Sequence, residues 1–76
     1  MEPEPVRLTG KELAVLRLVS LGWSNDSIAD QLGYQPHTVH MMTGGMIRRI
    51  WPGGVDHRCN RRMLLALYYQ RFYGGC

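Results

Sequence analysis

The chain has 76 residues, 45% of them hydrophobic, a net charge of +3 and two cysteines. That is enough for one small domain with a modest core, and too little for a deep catalytic cleft. No run of about 18 apolar residues could cross a membrane. Cys59 and Cys76 are too few for a disulfide scaffold, and the acidic, proline-rich start Met1-Glu2-Pro3-Glu4-Pro5 is not a secretory signal.

Residues 1–7 read as a flexible or extended arm. A first helix is expected over about 10–21. Thr9 can cap its free N–H groups and Glu12, three residues on, completes a capping box. Leu8, just before the cap, can staple against Leu13. Leu13, Val15, Leu16, Val19 and Leu21 then form an apolar face at helical spacing, which Gly22 ends. Ser24 caps a second helix over 25–32, with Asp26 suited to the positive end of its dipole and Ile28, Ala29 and Leu32 facing inward. Gly33 and Tyr34 make a turn.

A third helix runs over 36–50. Pro36 fits its first turn, where the missing N–H is not needed. Val39, Met42, Met46 and Ile50 form a core stripe, which leaves His37, Met41, Gly44 and Arg48 on the opposite face, flanked by His40 and Gly45. Gly44-Gly45 is unusual inside a helix, at about 1 kcal/mol each relative to alanine. The pair suits close approach by another molecule, or a kink near Thr43, or a helix held by Met46, Ile47 and Ile50. A continuous helix is the favoured reading.

Trp51-Pro52-Gly53-Gly54 breaks the pattern. A fourth helix follows over about 61–73, and 74–76 form a flexible tail. Met63, Leu64, Leu65, Ala66, Leu67, Tyr68, Tyr69 and Phe72 make this helix apolar nearly all round. One side must pack inward. The remainder points to a partner, or else to tyrosines lying flat on the surface with wet hydroxyls.

Charge divides unevenly. Residues 45–76 carry Arg48, Arg49, Arg58, Arg61, Arg62 and Arg71 against Asp56 alone, a set that could meet phosphates or form a solvated face. His37-x-x-His40 stands at helical spacing, with His57 and Cys59 further on. No Cys-x-x-Cys pair accompanies them, so no metal site is expected. No phosphate loop, Gly-x-Ser-x-Gly or His-Glu-x-x-His occurs, and neither an enzyme nor a cofactor is expected.

The motifs Leu8-Thr9-x-x-Glu12-x-x-Val15-Leu16, Gly22-x-Ser24-Asn25-x-x-Ile28-Ala29-x-x-Leu32 and Pro36-x-Thr38-Val39 resemble the DNA-binding domain of the LuxR/GerE family of bacterial transcription regulators. The resemblance covers residues 8–50. It implies an all-α, four-helix fold in which the second and third helices form a helix-turn-helix. It also implies that the third helix reads the major groove and that the fourth is a dimer contact. The chain looks like a stand-alone, cytoplasmic, bacterial or phage-encoded regulator of transcription.

On this reading His37, His40, Met41 and Gly44 face the bases. Ser24, Asn25, Thr38, Arg48, Arg49, Arg58, Arg61 and Arg62 hold phosphates, and N–H groups over Pro36 to Thr38 point at one. Leu64, Leu65, Tyr68, Tyr69 and Phe72 form the interface of a homodimer. The chain departs from the family pattern at Gln35, where a serine is usual, at His40 for a lysine that commonly touches DNA, and at Met42 for a histidine. The family's Asn-Arg-Thr segment corresponds either to His57-Arg58-Cys59 or to Asn60-Arg61-Arg62, and the apolar phase of the last helix slightly prefers the second. The charge-poor outer face also fits a second reading, a module that docks on another regulator or on RNA polymerase.

Overall fold

A computed structural model describes residues 3–56 and 58–74. These form four helices, α1 (Gly10–Ser20), α2 (Asn25–Leu32), α3 (Pro36–Ile50) and α4 (Arg61–Phe72), with no strand among the described residues. The expected all-α, four-helix class is the one found. α1 and α4 each stop one residue short of the expected ends.

The helix boundaries follow local chemistry. At α1, Glu12 N–H donates to Thr9 Oγ1 at 3.1 Å and Thr9 N–H donates to Glu12 Oε1 at 3.0 Å, so two otherwise orphaned donors are satisfied together. The chain leaves α1 through Gly22 at φ 89°, and Trp23 N–H returns to the Leu18 carbonyl. Ser24 caps α2 by accepting from Ser27 N–H. Gly33 closes α2 at φ 79°, a left-handed value that disfavours any residue with a Cβ. Its N–H and that of Tyr34 both donate to the Ala29 carbonyl. The tight turn that results sets α3 against α2.

α1 and α4 pack chiefly on each other, as do α2 and α3, and α1 also touches α2 and α3. Val15, Leu16 and Val19 of α1, Ile28 and Ala29 of α2, Val39, Met46, Ile47 and Ile50 of α3, and Leu65 and Tyr68 of α4 form one core.

Several inward positions differ from the sequence reading. Leu21 is 62% exposed, because α1 ends before it and the chain turns away at Gly22. The stripe of α3 is Val39, Thr43, Met46, Ile47 and Ile50, while Met42 lies half-buried at its edge. Thr43 is tolerated inside because its hydroxyl donates to the His40 carbonyl at 2.8 Å. Trp51 does more than break a helix. It is buried, with its ring edge-on to Tyr68 at 6.2 Å.

The largest correction concerns residues 3–7. Glu4 N–H donates to the Ile50 carbonyl at 2.7 Å, which satisfies one of the open acceptors at the end of α3. Val6 N–H donates to the Tyr68 hydroxyl at 3.1 Å, and that hydroxyl donates on to the Glu4 carbonyl. The segment expected as a flexible arm is a strap across α3 and α4. Met1 and Glu2, and Gly75 and Cys76 of the expected tail, lie outside the described residues.

Candidate nucleic-acid interface

α3 continues through Gly44-Gly45 without interruption. With its apolar side sunk in the core, it turns His37, Met41 and Arg48 to solvent, Met41 being 58% exposed. Gly44 and Gly45 lie between them, half-exposed, and His40 is exposed beside the groove that separates α3 from α4. α3 contains no acidic residue.

The gap at Gly44 is not blank. A Cβ built there would sit 3.7 Å from Arg48 Nη1. The arginine one turn on lies back over the glycine, which brings its guanidinium to the middle of the outer face. The groove beside this face, about 390 Å³, is lined by polar and cationic side chains including Asn25, His40, Arg48, Arg61 and Arg62, over an apolar floor of Met41, Ile47 and Leu65, with no acidic residue in it.

The expected phosphate contacts divide into two groups. Arg48 and Arg61 are exposed and make no ion pair or hydrogen bond with another described residue. Thr38 is exposed at the start of α3, and Ser24 is exposed at the start of α2 with its hydroxyl donating to Ser27 Oγ. The others are occupied. Arg49 donates from Nη1 to Glu12 Oε2 and from Nη2 to the Arg7 carbonyl, each at 2.6 Å, and so ties α3 to the start of α1. Arg58 pairs with Asp56 at 3.1 Å. Arg62 donates from Nη1 to Asn25 Oδ1 at 2.6 Å and from Nη2 to the Trp23 carbonyl, which engages Asn25 as well. Arg62 and Asn25 are half-buried and hold each other, whereas Arg49 keeps 44% of its side chain exposed while paired. Thr38 N–H, expected to face one, instead donates to the Gln35 carbonyl at 2.9 Å.

The same pairing explains two carboxylates. Glu12 is held below its ordinary value first by the Thr9 backbone N–H and then by the Arg49 guanidinium, against some desolvation. Asp56 is lowered by hydrogen bonds from the Arg58 side chain and backbone.

The expected dimer face also needs revision. Leu65 and Tyr68 are buried in the chain's own core, since α4 must present one side to α1. Leu64 and Tyr69 are half-buried, whereas Phe72 is exposed, with one side of its ring against Tyr68. The most exposed apolar residues of α4 are Met63 and Leu67, each 58% exposed and one helical turn apart. Leu67 lines a shallow hollow with Pro3, Trp51, Leu64, Tyr68 and Arg71. The phase of α4 could have revealed this. Once Leu65 and Tyr68 face inward, Met63 and Leu67 face out.

His57, one of the histidines considered for a metal site, lies outside the described residues. Among the described ones no three His, Cys, Asp or Glu side chains gather as a metal would require. No helix among them is long and apolar enough to cross a membrane.

The sequence profile described as bacterial regulatory proteins, luxR family (GerE), matches residues 6–59. The chain belongs to the LuxR/GerE family. It is a helix-turn-helix protein of the DNA-binding, transcription-regulating kind. No curated protein and no solved structure shows significant similarity to it. The family match takes in α1, α2 and α3 and stops just before α4. α3 therefore lies inside the matched region, and α4, with the exposed Met63 and Leu67, lies outside it.

Proposed function

We propose that the chain binds duplex DNA with the outer face of α3 in the major groove, and that two copies pair through the exposed stripe of α4. The observation that carries this reading is the one-sidedness of α3. Its apolar side is buried in the core, while His37, His40, Met41 and an arginine laid over Gly44 stand out together. Met41 offers apolar contact of the kind that suits a thymine methyl, and Arg48 offers the fork that suits guanine or phosphate. Arg48, Arg61, Thr38 and Ser24 are the contacts left for the backbone once Arg49, Arg58, Arg62 and Asn25 are set aside. Pairing through Met63 and Leu67 would give two reading heads on one two-fold axis, and so an inverted-repeat site.

The experiment is a binding titration over a range of salt concentrations with duplexes recovered from a randomised library. Affinity should fall steeply as salt rises. Arg48→Ala or Arg61→Ala should weaken binding to all sequences and reduce the salt slope by about one unit each, whereas Met41→Ala should mainly change which sequence is preferred. Binding that does not respond to salt overturns the reading.

One observation favours a second function. Apart from Arg48, the outer face of α3 carries no lysine or arginine, and its most exposed apolar residue, Met41, borders an apolar-floored groove. That surface also suits a protein ligand, with the chain docking on another regulator or on RNA polymerase. A purified complex with such a protein, together with no shifted DNA, selects this function over the first.

A further inference from the structure

We infer that Arg62 is a positioning residue for the reading head, a brace between α4 and the start of α2, and that it makes no phosphate contact. This rests on the proposed DNA reading. α4 packs chiefly on α1, and α2 chiefly on α3. Arg62, in the first turn of α4, crosses from one pair to the other. Its guanidinium donates to Asn25 Oδ1 at 2.6 Å and to the Trp23 carbonyl, and it is half-buried where it does so. Both acceptors flank Ser24, the cap of α2. A planar fork holding a side-chain oxygen and a backbone oxygen two residues apart fixes direction as well as distance, and charge-assisted bonds of this kind are the stronger ones. α2 in turn carries α3 across the Gly33 turn. Arg62 thus sets the angle between the helix proposed to join two copies and the helix proposed to read bases. Arg61, the residue before it, is exposed and unpaired, so neighbouring arginines divide the work: one meets the ligand and the other holds the frame.

The test compares Arg62→Met with Arg61→Met, which keep similar stem length and lose the charge, below the melting temperature of each variant. Arg61→Met should lower the salt slope of DNA binding by about one unit. Arg62→Met should weaken binding about tenfold with the slope unchanged. Arg62→Lys, with a compact ammonium in place of the fork, should recover only part of the loss. Asn25→Ala combined with Arg62→Met should be no worse than the more damaging single variant. A slope that falls with Arg62→Met as it does with Arg61→Met overturns the inference, and so does unchanged affinity. A separate readout needs no DNA. In the free protein, Arg62→Met should speed hydrogen exchange at the Ser27 and Ile28 amides, which close the first turn of α2 on Ser24. Unchanged exchange there overturns the brace itself. Failure of the parent protein to bind any duplex sinks the DNA reading and leaves the exchange result to decide the brace.

Discussion

α3 and α4 are both rich in apolar residues, yet they use them in opposite ways. α3 gathers Val39, Met46, Ile47 and Ile50 on one side and leaves the other to histidines, glycines, arginine and one exposed methionine, Met41. α4 buries Leu65 and Tyr68 and still has Met63 and Leu67 to show to solvent. A helix sealed on one side can offer a thin face with a single apolar side chain to a groove. A helix apolar on two sides has one face more than its own chain can cover. The contrast is the basis for proposing that α3 meets the ligand and α4 a second copy.

The sharpest way to break this contrast is to attack the inner side of α4. Leu65 is fully buried, and Leu65→Ala should cost about 2–5 kcal/mol, a large part of the stability of so small a domain. A melting curve close to that of the parent would mean that α4 does not pack as described. Next in size is its outer side. Met63→Glu with Leu67→Glu should leave the monomer folded and weaken self-association about tenfold or more, read by sedimentation over a concentration series. If association is untouched, the joining surface lies elsewhere. On α3 the expected change has the opposite sign. Neither Gly44 nor Gly45 has backbone or core atoms close enough to exclude a Cβ, so Gly44→Ala and Gly45→Ala should each stabilise the fold by about 0.5–1 kcal/mol in denaturant titrations. A gain in stability joined to a loss of DNA binding would show that the thin face serves the ligand.

The smallest effect is at the tie between α3 and α1. Glu12 titrates below its ordinary value of 4.5. A carboxyl lowered on folding stabilises the protein fully above that ordinary value, and this contribution is lost as pH falls through the lowered one. Glu12→Gln should flatten that part of the acid-unfolding profile and leave stability near neutral pH only slightly reduced, since the pair is at the surface. An acid profile identical to the parent's would remove the carboxylate from the account.

Features governed by neighbours in sequence were legible without coordinates. The Thr9–Glu12 box, the Ser24 cap and the glycines at 22 and 33 all depend on groups within four residues of each other. The outer face of α3 was legible for the same reason, since helical phase is local. What escaped depends on distant partners. Arg49 meets Glu12 37 positions away, and Arg62 meets Asn25 at the same separation. Nothing in the local pattern distinguishes an arginine tied to its own chain from one open to a phosphate. Thr43 escaped because a hydroxyl bonded to its own helix hides its polarity. Trp51 escaped because a turn signal and a core residue coincide. Leu65 and Tyr68 were visible as apolar, but a helix apolar on all sides does not declare which side is its own.

One hydroxyl, on Tyr68, stitches the opening segment of the chain to its closing helix, accepting from Val6 N–H and donating to the Glu4 carbonyl across 62 and 64 positions. Synthesis runs from the first residue to the last, and a loop of that span can close only after its far end exists. A nascent chain can therefore wind α1 and α2 as they leave the ribosome, while the bonds of Val6 and Glu4 to this hydroxyl must wait until α4 emerges.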